Sequence, residues 1–136
     1  MGVTVLDAGV LIAVMDRSDV HHVAARRELS RAVKLDELVL PASAYAEILV
    51  LPSRLGGDAV PRTDDLIDTL PARVEPVSRR IAAVAAGLRA QHGRRLKLAD
   101  ALVIATAHVV GADRILTTDQ GWPDVGVNVQ LVDGGS

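Results

Sequence analysis

The chain has 136 residues, a formal net charge of −2 and no cysteine. That length suits a single domain over 1–136 with one aliphatic core, and the missing cysteines exclude disulfides, a thiol nucleophile and a zinc–thiolate site. The near-neutral balance excludes a globally basic nucleic-acid binder, although 13 of the 15 basic residues are Arg, whose planar fork suits phosphate. No apolar run nears the roughly 18–20 residues that a bilayer requires. No basic segment followed by a long apolar stretch opens the chain, so a cytoplasmic protein with no membrane association is expected.

Residues 3–6 form a short apolar run stopped by Asp7, the pattern of a buried first strand. A short helix is predicted over 10–15, interrupted around 16–19. Over 20–33 the positions Val23, Ala24, Leu29, Ala32 and Val33 recur at helical spacing, with Arg on the other face; His21 and His22 mark the exposed start. Residues 38–40 read as a second strand closed by Pro41. Ser43 is then the N-cap of a helix carrying Tyr45, Glu47, Ile48 and Leu51. Residues 52–58, with Gly56 and Gly57, read as a turn or mobile segment. A helix over 62–70 and a strand over 73–75 follow, then an Ala-rich helix over 78–92 ended by Gly93. Another helix runs from Asp100 to 110 and stops at Gly111, before strands over 114–117 and 127–132. Short strands alternating with helices define an α/β fold, a parallel sheet of four to five strands covered on both faces.

Four acids stand out. Asp7, Glu47, Asp100 and Asp119 each sit among apolar or small residues, where a carboxylate must regain its lost hydration from a partner, a proton or a cation. No Lys or Arg lies within two residues of Asp7, Glu47 or Asp119, and only Lys97 comes close to Asp100. Ligands of parallel sheets bind outside the carboxyl ends of strands, where Asp7 and Asp119 should emerge. Glu47 and Asp100 are expected in the opening turns of helices, which favour negative charge. A carboxylate cluster without His or Cys suits Mg²⁺ or Mn²⁺ better than zinc, and such an ion can promote phosphodiester hydrolysis. Structural roles are open to three of the acids. Asp7 could cap the following helix, Asp100 could complement a helix dipole, and Asp119 could close a turn with Gln120 and Gly121. Glu47 resists such a role best, because a capping box from Ser43 would need the acid at position 46, which is Ala.

The segments Val5-Leu6-Asp7-Ala8-Gly9-Val10-Leu11, Ala44-Tyr45-Ala46-Glu47-Ile48, Leu98-Ala99-Asp100-Ala101-Leu102 and Ile115-Leu116-Thr117-Thr118-Asp119-Gln120-Gly121-Trp122 together resemble the motifs of the PIN-domain family. Their order and spacing span nearly the whole chain, whose length is similar to that of a VapC-type toxin of a VapBC toxin–antitoxin pair. The resemblance implies a three-layer α/β/α sandwich and a Mg²⁺- or Mn²⁺-dependent endoribonuclease that cuts RNA with a metal-activated water. It also implies inhibition by a cognate VapB-type antitoxin and a homodimer. Carried over by position, Asp7 and Asp100 are the principal metal ligands, and Glu47 and Asp119 complete the catalytic cluster directly or through water.

One departure stands beside the match. Many members carry Thr-Ser after the first Asp, where this chain has Ala8-Gly9 and so lacks two hydroxyls near the first carboxylate. A PIN-like module that binds RNA or an antitoxin without cutting is therefore the alternative reading. Arg94, Arg95 and Lys97 precede Asp100 closely enough to contact RNA. With Tyr45 and Trp122 as the only aromatics, binding must lean on backbone phosphates and shape. Trp122 is expected to pack at the sheet edge, His92 to end a helix and His108 to serve the core or an interface. The segment 52–61 is a candidate clamp for antitoxin or RNA. A phosphatase of the aspartyl-phosphate type wants a second Asp at position 9, which is Gly, and a receiver domain wants a Lys that does not follow Leu116.

Overall fold

The computed structural model describes residues 2–133 and contains the strands β1 (Gly2–Leu6), β2 (Asp36–Pro41), β3 (Ala72–Glu75), β4 (Arg114–Thr117) and β5 (Val129–Leu131). All pair in parallel, in the order β3-β2-β1-β4-β5. Parallel neighbours need long crossovers, and helices supply most of them. These are α1 (Ala8–Met15), α2 (His22–Leu35), α3 (Ala42–Ile48), α4 (Val50–Leu55), α5 (Ala59–Asp68), α6 (Arg79–His92) and α7 (Leu98–Val110), with a 3-10 turn at Gly93–Arg95 before the last. Leu38, Val39 and Leu40 are all fully buried. Successive strand side chains point to opposite faces, so both faces of the sheet are covered and the architecture is the expected three-layer α/β/α sandwich. None of the described helices is long and apolar enough to cross a membrane.

The strand order reverses beside β1. The chain steps outward through β2 to β3, then returns by α6 and α7 to place β4 on the other side of β1. The Asp7 N–H donates to the Leu116 carbonyl at 3.0 Å, so the carboxyl ends of β1 and β4 are held together where a crevice opens.

Towards the other end of the sheet, one Arg ties four strands. Arg114 Nε donates to Thr4 Oγ1 at 2.9 Å, and its terminal nitrogens donate to Asp36 Oδ2 and Gln130 Oε1, each at 2.8 Å. The Thr4 hydroxyl also donates to Asp36 Oδ2 at 2.6 Å, and Gln130 donates to Glu28 Oε2 of α2 at 2.9 Å.

Several helix starts differ from expectation. Pro41, at φ −58° and ψ 140°, holds the N-cap position of α3 instead of Ser43. Proline fixes φ and lacks a donor, so it ends β2 and lets the helix open at once. The Ser43 hydroxyl is left buried without a hydrogen bond. Residues 52–58 are not a turn throughout: α4 takes Pro52 into its first turn, where an N–H would lack a helical partner anyway. The chain turns only at Gly56 and Gly57, with φ of 72° and 59°. For the same reason α5 accommodates Pro61 and begins at Ala59, not at 62. α7 starts two residues before Asp100, with Lys97 in its N-cap position.

Candidate active site

Asp7 follows β1 directly and is the N-cap of α1. Its Oδ1 accepts from the Ala8 N–H at 2.9 Å, and its Oδ2 accepts from the Thr117 hydroxyl at 2.7 Å. The side chain is only 8% exposed. Burial pushes its carboxyl above the ordinary range, the two hydrogen bonds pull it back, and the charges of Glu47 and Asp119 push it up again. The helix-capping role and the place in an acidic crevice thus belong to one carboxylate.

Asp100 lies in the first turn of α7. Its carboxyl is pushed up to about 6, by burial first and then by the charges of Asp7 and Asp119, against smaller opposing effects of Trp122 and Lys97. Glu47 is raised by desolvation and by the charge of Asp100, with Lys97 opposing. It does not sit in an opening turn as expected: α3 spans Ala42–Ile48, so Glu47 is in the closing turn, where the helix dipole disfavours an anion. The earlier start at Pro41, together with the end of α3 at Ile48 before Leu51 is reached, causes this shift and removes the local electrostatic reason for an acid there. Asp119, exposed after β4, donates its N–H to Thr117 Oγ1 at 3.0 Å and accepts from the Gly121 N–H at 2.7 Å, so it does close a turn.

Mutual repulsion links all four acids into one crevice: Asp7 with Glu47, Asp100 and Asp119, and Asp100 with Glu47 and Asp119. Among the described residues none of the four joins an ion pair. Nor do any three His, Cys, Asp or Glu side chains among them stand close enough to enclose a metal ion by themselves. Lys97 is the cation whose charge reaches Glu47 and Asp100. Arg94 and Arg95 are exposed on the 3-10 turn, and no described contact ties them to the acids.

The role of Thr117 and the closeness of Trp122 to Asp100 were missed in the sequence. The fully buried Thr117 bridges Asp7 and the Asp119 backbone; its only signal was a hydroxyl at the end of a strand, two residues before an acid. Trp122 packs against the core, as expected. Its buried indole N–H makes no hydrogen bond of ordinary geometry, yet it lies near enough to Asp100 to favour the ionised carboxylate. The histidines serve local structure. His22 Nδ1 is 2.7 Å from the Ala13 carbonyl and His108 Nε2 is 2.8 Å from that of Val125, His21 is the N-cap of α2, and His92 ends α6.

A groove of roughly 490 Å³ runs from Glu47 along Ile12, Met15, Leu51, Pro52 and Leu66. Its far wall, α5, is tied to α3 by the Tyr45 hydroxyl, which donates to Asp64.

Fold and crevice together define the class: a parallel-sheet α/β protein with an all-carboxylate cluster where its strand order reverses. The PIN domain model matches residues 4–128, and the chain belongs to the PIN-domain family. No curated protein matches it by sequence. Solved structures do match in fold. VapC20 of Mycobacterium tuberculosis, a sarcin-ricin loop cleaving toxin, is 19% identical with a TM-score of 0.73, over 91% of this chain and 95% of that one. A toxin–antitoxin complex from Klebsiella pneumoniae is 19% identical with a TM-score of 0.75, over 96% and 98%. FitAcB from Neisseria gonorrhoeae is 21% identical with a TM-score of 0.71, over 95% and 97%.

Proposed function

We propose that this chain is a Mg²⁺-dependent endoribonuclease toxin, with Mn²⁺ as an effective substitute, restrained by a VapB-type antitoxin. The observation that carries the reading is the gathering of Asp7, Glu47, Asp100 and Asp119 without a paired basic side chain. Like charges in a partly buried crevice must be protonated or bridged by a cation. The donor set is all oxygen, which fits a hard divalent ion. Asp7 and Asp100 would hold it, and Glu47 and Asp119 would complete the set through water. Four direct protein ligands are not required, because Mg²⁺ keeps several waters and uses one or two carboxylates. Bound there, the ion would supply Lewis acidity towards the phosphoryl oxygen and ease deprotonation of the attacking water.

The protein's own groups hold that arrangement together. Thr117 and the Ala8 N–H fix the direction of both Asp7 oxygens. Lys97 offsets repulsion between the acids and an incoming phosphate backbone, and Arg94 and Arg95 extend that attraction along the strand. An RNA substrate is supported by the sarcin-ricin loop cleaved by VapC20, and an antitoxin partner by the Klebsiella complex. The apolar groove ending at Glu47 suits an antitoxin segment with an apolar face and a basic tip. The exposed Val50 and Leu55 of α4, which do not line that groove, support a homodimer, which sedimentation of the purified chain would test.

Purified protein should cut structured RNA with Mg²⁺, stop with excess chelator, and fail as Asp7→Asn or Asp100→Asn. Metal-independent cleavage, or full activity in both variants, would overturn the reading. A small protein encoded beside this chain should co-purify with it and block cleavage. The second reading, binding without cutting, is favoured by the hydroxyl-free Ala8-Gly9 pair; retained RNA binding with no cleavage at any Mg²⁺ or Mn²⁺ concentration would establish it.

A further inference from the structure

Gly9 is the second residue of α1, and a larger residue there would have to displace the Thr118 hydroxyl. A Cβ built on its backbone would lie 2.4 Å from Thr118 Oγ1, inside the 3.0 Å that real Cβ atoms essentially never cross. Its φ is not among the positive values of the chain, so crowding and not backbone conformation demands the glycine. Thr118 Oγ1 therefore occupies the volume in which a side chain at position 9 would begin. That is the position where many PIN-domain chains carry the second hydroxyl of their opening motif.

The neighbouring hydroxyl and both Asp7 oxygens are already committed. Both Asp7 oxygens accept hydrogen bonds, the Thr117 hydroxyl donates to one of them and accepts from Asp119, and Asp119 Oδ1 accepts from Gly121. The half-buried Thr118 hydroxyl hydrogen-bonds to none of the described residues. Lys97 acts on Glu47 and Asp100, whereas among the described residues neither Asp7 nor Asp119 joins an ion pair. A phosphate arriving there needs a donor that neither repels it nor neutralises the acids. A neutral hydroxyl meets both conditions.

We propose that Gly9 and Thr118 are a matched pair, and that the Thr118 hydroxyl positions substrate by donating to a non-bridging oxygen of the scissile phosphate. The assignment rests on the ribonuclease reading above. Replacing Thr118 by Val or Ala should slow single-turnover cleavage by the full chain at least about tenfold, the scale of a hydrogen bond to a charged group. Mn²⁺ affinity, read by electron paramagnetic resonance, should stay within about twofold of the original, on the same argument that the hydroxyl touches substrate and no metal ligand. Thr118→Ser should cut like the unaltered protein. The double variant Gly9→Ser with Thr118→Gly should regain most of the rate, because the hydroxyl returns to the same volume from the other segment. Gly9→Ala should melt lower alone and recover when combined with Thr118→Gly.

Unchanged cleavage by Thr118→Val and Thr118→Ala would overturn the assignment. So would an equal loss in Thr118→Ser, which would reveal packing, or a parallel loss of Mn²⁺ affinity, which would place the hydroxyl on the metal side. A well-folded Gly9→Ser/Thr118→Gly variant without recovery would break the pairing. Unaltered protein that cuts no RNA would fell the ribonuclease reading and this assignment with it; cleavage indifferent to position 118 would fell this assignment alone.

Discussion

The two ends of the sheet treat buried charge in opposite ways. Near the amino ends, Asp36 sits against Arg114 and Thr4, and its carboxyl is held below the ordinary range by the Thr4 hydrogen bond and then by the guanidinium. Near the carboxyl ends, Asp7 and Asp100 are pushed the other way, by burial first and then by the charges of neighbouring acids. The same fold builds a satisfied acid within one strand's length of unsatisfied ones. A chain able to pair the part-buried Asp36, yet leaving four acids around one crevice without an ion pair, bears a destabilising charge that binding can relieve.

The sharpest way to break this contrast is to neutralise the unpaired end. Asp7→Asn or Asp100→Asn should lower cleavage at least about a hundredfold, since each tenfold corresponds to about 1.4 kcal/mol of barrier, while circular dichroism shows an intact fold. The paired end should answer in the opposite currency. Arg114→Ala should destabilise the protein by about 1–2 kcal/mol, as expected when a part-buried side chain with several charge-assisted hydrogen bonds is removed. Denaturant titration measures that loss, and cleavage per folded molecule should be unchanged. Thr117→Val keeps the shape but withdraws the donor to Asp7; Mn²⁺ affinity should fall about tenfold, read by electron paramagnetic resonance.

The smallest effect carries the sign of the comparison. Because the Asp100 carboxyl is raised from 3.8 to about 6, protonation favours the metal-free fold. Its contribution to stability is complete below 3.8 and disappears as pH rises through about 6. Asp100→Asn should therefore stabilise the metal-free protein at pH 7, by about 1 kcal/mol after allowance for solvent screening, and flatten its melting profile between pH 4 and 7. A loss of stability on that substitution would mean that the crevice is compensated after all. Divalent-ion affinity should weaken below pH 6 for the same reason.

What was legible in the sequence was local. The strand cores, the acids at their ends and the Ala-rich α6 follow from hydrophobic period and turn chemistry within a few residues. What was hidden depended on neighbours distant in sequence. Thr117 serves Asp7 only because β4 lies beside β1, a pairing made across 110 residues of chain. Gly9 looked like a missing hydroxyl until Thr118 was found above it. Glu47 seemed to open a helix because Ser43 is a good cap in isolation; Pro41 pre-empted it. In each case a sound local preference yielded to a constraint that only the packed sheet imposes.

That Asp7 begins α1 as well as facing the crevice limits how this protein can be disarmed. Alanine at that position would strip the helix of its cap, a loss of about 1 kcal/mol, and would confound silence with unfolding. Asparagine keeps an oxygen for the Ala8 N–H while surrendering the charge. Spontaneous loss-of-function mutants selected in growing cells should accordingly reveal which of the two jobs the fold can spare.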